Sequence, residues 1–258
     1  MPIEETIISE AIIKSYFEGL LNSLNVDVSI VGAGPSGLIA AYYLAKGGAK
    51  TAVFERRLSI GGGIWGGGIG YNKIVVQKQA KRILDELKIK TSEFKPNYYV
   101  ADAIEMACVL GAAVLQAGAK IFNLHSAEDV TIRKDKITGL VLNLSPIEMA
   151  HLHIDPIAIK SNYVVDATGH SAEIAHIILK KVGKLKTESG GIMGEKSMWA
   201  EIAEDIVVKN TREIYSHAYV TGMAATAVFG GPRMGPIFGG MLLSGEKVAQ
   251  QILKKLKQ

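Results

Sequence analysis

Val28-Ser-Ile-Val31-Gly32-Ala-Gly34-Pro-Ser-Gly37 opens on an apolar run and closes on three glycines in a G-x-G-x-x-G spacing. Around it, Val26 to Val31 reads as a strand, Leu38 to Lys46 as a helix and Thr51 to Phe54 as a second strand. In that setting each glycine has a physical task. Gly32 permits a tight turn, Gly34 lets the backbone approach a pyrophosphate, and Gly37 lets the helix pack on the strand. The helix amides from about Ser36 then face the anion. Glu55, 23 residues past Gly32, ends the second strand, where a carboxylate can grip a ribose diol. The pattern predicts a βαβ unit that binds a dinucleotide.

The bulk properties narrow the class. A chain of 258 residues with 48% hydrophobic content fits a single domain over 1–258 with a sizeable core. The net charge of +4 comes from scattered lysines. Lys254, Lys255 and Lys257 close the last helix, where cations complement the helix C-terminus, so no nucleic-acid partner is expected. No apolar run reaches membrane-spanning length, and the start of the chain (Glu4, Glu5, then Ile7, Ile8, Ile12 and Ile13) lacks a basic segment and a cleavage site. The expectation is a cytoplasmic protein with no membrane partner. One cysteine, Cys108, excludes a disulfide framework and a cysteine metal site; its small-residue helix predicts a packed thiol.

Outward from the glycine turn, residues 1–24 form a leading amphipathic helix, suited to covering the core or joining a partner subunit. After Glu55 comes Arg56-Arg-Leu-Ser-Ile-Gly61-Gly-Gly63-Ile-Trp65-Gly-Gly-Gly68, a loop whose glycines suit backbone lying against a ligand. Helices are predicted from about Val76 to Leu87 and from about Ala101 to Ala117. Strands follow over Lys120 to Leu124, Asp129 to Lys134 and Ile137 to Leu144, the last two joined at Asp135-Lys136, giving a β-meander insert. Asn162 to Gly169 reads as a further strand, followed by a helix from about Ser171 to Val182. Residues 183–198 show no periodicity and read as a flexible segment, a lid or a plain loop. Ala218 to Met223 is a strand and turn, and Gly239 to Lys257 a closing helix.

The order of glycine-rich βαβ unit, acid, glycine loop, meander and Asp166-Ala-Thr-Gly169 strand looks like the FAD/NAD(P)-binding Rossmann-like fold of the two-dinucleotide-binding-domain flavoprotein type. Many such enzymes carry Gly-Asp after the final strand, with the Asp on the flavin chain; here Met223 stands there. The run Tyr219-Val-Thr-Gly-Met223 through Gly230-Gly-Pro-Arg233-Met-Gly-Pro to Gly245, with His153-Ile-Asp155-Pro and Asp166-Ala-Thr-Gly-His170, resembles the thiamine thiazole synthase family in its archaeal, sulfide-dependent branch. The resemblance implies an enzyme that takes NAD, glycine and sulfide, with Fe(II), and makes the adenylated thiazole half of thiamine. NAD is then a substrate: nicotinamide leaves, the ADP-ribose carbonyl condenses with glycine, and sulfur enters before cyclisation and dehydration. A homo-octamer with active sites shared between subunits is implied as well.

Along His151-Leu-His153-Ile-Asp155 the polar side chains recur every second residue, so an extended segment projects them from one face that can converge on a metal. The same residues also suit a helix cap and a turn before Pro156. The resemblance assigns Asp155 and His170 as iron ligands drawn from different subunits, and such a ligand pair leaves positions open for substrate. His153 stands where fungal and plant relatives carry a sulfur-donating cysteine; it can wall the pocket or carry a proton. Arg233, in a glycine- and proline-held turn, can pair both oxygens of a carboxylate from a buried pocket, and is the expected glycine binder. For NAD, the expected contacts are Gly32, Gly34, Ser36, Gly37, Glu55, Arg56, Gly63, Val130 at the adenine edge, His153 and Met223. Alternative functions are a small flavin-dependent oxidoreductase of the same fold and a non-catalytic NAD-binding protein.

Overall fold

The structure is a computed structural model that describes residues 3–258. Helix α1 (Glu5–Asn22) leads into strand β1 (Asn25–Val31), helix α2 (Pro35–Lys46) and strand β2 (Thr51–Glu55). Strand β3 (Lys73–Val76), helix α3 (Lys78–Glu86), strands β4 (Thr91–Lys95) and β5 (Tyr98–Asp102) and helix α4 (Ala103–Gln116) follow the glycine loop. Then come β6 (Lys120–Asn123), β7 (His125–Arg133), β8 (Lys136–Leu144), α5 (Ser145–Met149), β9 (Ile157–Asp166) and α6 (Glu173–Val182). The chain ends through α7 (Ala200–Asn210), β10 (Arg212–Tyr215), β11 (Ala218–Val220), α8 (Met223–Phe229) and α9 (Gly239–Leu256).

The main sheet runs β10-β11-β9-β1-β2-β6, with β11, β9, β1, β2 and β6 parallel. Strands buried on both faces need near-continuous apolar runs, and β2 is buried at every residue. Helices α2, α4 and α9 cover one face, where Leu38, Leu44, Leu110, Leu242 and Ile252 are fully buried. The β7–β8 hairpin, α6 and α8 pack on the other around Phe54, Leu140, Ile174 and Ala225. This is an α/β, Rossmann-like dinucleotide-binding fold. Two close approaches hold the βαβ turn: a Cβ on Gly32 (φ +99°) would meet Ala167 O at 2.4 Å, and one on Gly37 would meet Gly32 O at 2.1 Å. Neither position admits a side chain.

Several local expectations change. Helix α1 exists and none of its residues is fully buried; it touches the core only at its C-terminal half, through Leu20 and through Tyr16 edge-on to Phe122, while Ile7, Ile8, Ile12, Ile13 and Phe17 face outward. The helix expected from Val76 begins at Lys78, and the one expected from Ala101 begins at Ala103, where the Asp102 carboxylate caps it by accepting from the Ile104 and Glu105 amides at 2.9 and 3.0 Å. Between them lies an unforeseen antiparallel sheet, β3-β5-β4. The hairpin between β7 and β8 turns on Lys134 and Asp135, both at positive φ as a type I′ turn requires, one residue earlier than expected.

Residues 183–198 have no long regular element, yet they are pinned. Leu185 is buried, and the amides of Met193, Gly194 and Lys196 donate to Val228, Ala227 and Gly231 at 3.1, 2.9 and 2.9 Å. The lidlike or loose segment is thus an edge stitched along the chain from α8 to Gly231. Cys108 is exposed on α4 rather than packed, because the buried side of that helix is taken by Met106, Ala107 and Leu110.

Candidate active site

A cleft of about 1020 Å³ opens at the C-terminal ends of β1, β2 and β9, the edge at which parallel α/β sheets bind ligands. Its floor is the Gly32–Ser36 turn and the start of α2. A Cβ on Gly34 would meet nothing within 4 Å, so that backbone faces open space suited to a phosphate. Ser36 is nearly buried beside it. Glu55, 7% exposed, accepts the Ala33 amide on Oε2 at 2.8 Å and the Arg57 amide on Oε1 at 2.9 Å. Two backbone donors orient the carboxylate at the cleft lining.

Gly63 lines the cleft and has no atom within 4 Å of a would-be Cβ. Arg56 lines it too, tied by Nη1 to Glu173 Oε1 at 2.5 Å. Val130 does not. It is 7% exposed in the apolar cluster behind the hairpin, and its amide donates to the Asp129 carboxylate at 2.8 Å. The part of β7 that reaches the cleft is His125-Ser126-Ala127, ahead of a bulge between Ala127 and Asp129. The Ser126 hydroxyl there is buried with no partner, and His125, given no role from the sequence, receives the Tyr16 hydroxyl of α1 at 3.4 Å on Nε2.

The turn after β9 is held from inside the core. Asp166, fully buried, accepts the Thr168 amide at 3.0 Å, the Thr168 hydroxyl at 2.7 Å and the Ala175 amide at 2.9 Å. Burial pushes its carboxyl pKa up. This closure presents His170 at the cleft rim, where its Nδ1 lies 2.6 Å from Glu195 Oε1. Met223, 8% exposed at the start of α8, lines the opposite wall. Arg233 lines the cleft with its Nε 3.7 Å from Glu195 Oε2. Its side chain is 60% exposed, which corrects the expected buried pocket: the Pro232–Arg233 turn lies at the rim, not beneath it.

The Thi4 family model matches residues 9–238, across the βαβ turn, the β9 turn and Arg233. The chain belongs to the Thi4 family. Thiamine thiazole synthase from Pyrococcus horikoshii is 57% identical over 255 residues, spanning 99% of both chains. That from Methanothermobacter thermautotrophicus is 54% identical over 258 residues and spans both chains fully. The crystal structure of Thermovibrio ammonificans THI4 is 48% identical and superposes with a TM-score of 0.96 over the full length of each chain. Thi4 membership carries the thiazole synthase activity of thiamine biosynthesis, in place of the oxidoreductase or purely binding role that the dinucleotide fingerprint left open.

In this Thi4 chain the expected metal ligands do not meet. His151, His153 and Asp155 lie on an exposed, irregular segment after α5, outside the cleft lining. Among the described residues no three His, Cys, Asp or Glu side chains gather as a metal site. His170, at the cleft rim, has the donor chemistry of a ligand, an imidazole backed by a carboxylate. Glu195 escaped the sequence reading because it sits in the segment without periodicity. Its only signal was the stretch's length within an otherwise packed domain.

Proposed function

We propose that this thiazole synthase consumes NAD, glycine and free sulfide, using Fe(II) and turning over repeatedly. The observation that carries the sulfide reading is the position of the single thiol: Cys108 is on the outer face of α4 and does not line the cleft. With His153 in the donor cysteine's place, no side chain of the cleft can surrender sulfur. The pyrophosphate rests on the α2 amides, Glu55 holds the adenosine ribose beside Arg56, and the Ala127 backbone takes over the adenine edge expected of Val130. Met223 packs against the nucleotide, and Arg233 binds the glycine carboxylate, aiming the amine at the ADP-ribose carbonyl.

His170 would hold the metal from one chain and Asp155 from another, which supports a homo-octamer with shared sites. The separation of the two residues within one chain and the exposed apolar face of α1 (Ile7, Ile8, Ile12, Ile13) both favour such an assembly. Ferrous iron, when held there, would supply a Lewis-acid centre able to bind sulfide. His153, delivered with Asp155, is placed to move protons during cyclisation and dehydration. Among the described residues no helix is long and apolar enough to cross a membrane, which fits a cytoplasmic site of action.

The test is product formed per subunit under anaerobic conditions with Fe(II), NAD, glycine and sulfide. The expected yield exceeds one and stops when sulfide is omitted. A yield capped at one per subunit contradicts the proposal.

A further inference from the structure

Glu195 is the least exposed member of a three-residue constellation at the cleft rim. Its side chain is 17% exposed, against 54% for His170 and 60% for Arg233. The backbone on both sides of it is fixed: the Gly194 amide donates to Ala227 at 2.9 Å, the Lys196 amide donates to Gly231 at 2.9 Å, and Lys196 O accepts the Arg233 amide at 3.2 Å. A carboxylate held this way is a support on which more exposed side chains can lean.

We infer that Glu195 is a positioning residue that sets which ring nitrogen of His170 is free to bind. In a neutral imidazole, the 2.6 Å contact with a carboxylate acceptor selects the His170 tautomer whose proton is on Nδ1. The lone pair is then on Nε2, the nitrogen away from Glu195. Free imidazole in water places its proton mainly on the other nitrogen, so the contact makes a difference that the histidine alone would not. Arg233 faces the second oxygen at 3.7 Å and keeps the carboxylate aligned, while its terminal nitrogens are left for a substrate carboxylate. The inference rests on the proposed role of His170 as a metal ligand, and adds the residue that prepares it.

The experiment titrates Co(II), a spectroscopic substitute for Fe(II), into the intact assembled protein and follows its visible absorption, with NAD affinity and thermal midpoint as controls. Glu195→Ala is expected to lower Co(II) affinity about 10- to 100-fold, the usual cost of losing a carboxylate behind a ligating histidine. Glu195→Gln keeps an acceptor oxygen for Nδ1–H and should remain within about threefold of wild type. NAD affinity and thermal midpoint should be unchanged in both. If Glu195→Ala binds Co(II) as wild type does, or Glu195→Gln is as weak as Glu195→Ala, the inference is overturned while the synthase reading stands. If the wild-type assembly itself binds no Co(II), the proposed metal-ligand role of His170 falls together with the inference.

Discussion

The Ala33 amide donates to Glu55 Oε2 at 2.8 Å, joining the turn that faces the phosphates to the acid that ends β2. The two halves of the nucleotide site are therefore one hydrogen-bonded unit. Glu55→Gln replaces one acceptor oxygen by an amide donor, which meets either the Ala33 or the Arg57 amide donor-to-donor. Losing a charged hydrogen bond costs about 2 kcal/mol, so NAD should bind roughly 30-fold more weakly. Calorimetric titration checks this, with glycine affinity as the unaffected control.

Arg233→Ala separates substrate binding from fold. Removing the guanidinium should raise the glycine concentration for half-maximal rate about 10- to 100-fold, the range for hydrogen bonds to charged groups. NAD binding should stay nearly intact, since Arg233 is anchored at the rim and not under the nucleotide turn. Equal loss of both in steady-state and binding measurements would mean that Arg233 supports the structure instead.

Ile8 and Ile12 are 48% and 64% exposed on the outward face of α1. The double change Ile8→Glu, Ile12→Glu should shift sedimentation towards smaller species and leave the circular dichroism spectrum of the folded chain in place. An unchanged assembly would move the subunit interface elsewhere.

Glu204 gives the fold a pH dependence of its own. It is 3% exposed; Oε2 accepts the Gly240 amide at 2.8 Å, while Oε1 has no partner. Burial, opposed by that single amide and reinforced by Asp205, raises its pKa to about 7 from 4.5. The folded state thus binds the proton more tightly than the unfolded chain. The contribution is fully present below about pH 4.5 and is lost as the pH rises through about 7, to the extent of about 3 kcal/mol. Denaturant midpoints at pH 5 and pH 8 should converge in Glu204→Gln, which cannot ionise.

What could be read from residues alone followed the strength of local periodicity. Gly32, Gly34, Gly37 and Glu55 act through backbone geometry that any strand, turn and helix of this spacing must share; the structure places Gly32, Gly34 and Glu55 on the cleft lining and Gly37 behind it, packed against Gly32 O. Strand β4 escaped notice because four of its five residues are exposed, leaving no alternation to detect. Helix α8 escaped for the opposite reason: every residue is buried, so no polar face marks its period. The backbone contact expected at Val130 lies beyond a bulge between Ala127 and Asp129, and the part of β7 that lines the cleft ends before that bulge, which the sequence does not mark. Glu195 depends on tertiary pairing between residues 193–196 and 227–233, which composition does not encode.

The Asp166 carboxylate, sealed in the core and saturated by three donors, makes the turn bearing His170 part of the sheet's rigid body. Whatever binds at that rim meets a wall that is already ordered, so little configurational entropy is lost on this side of the encounter. The exposed segment with His153 and Asp155, tied back by Asn143 Nδ2 donating to Ile154 O at 3.0 Å, is not sealed into the core in this way, so in the proposed shared site the ordering cost would fall on that side.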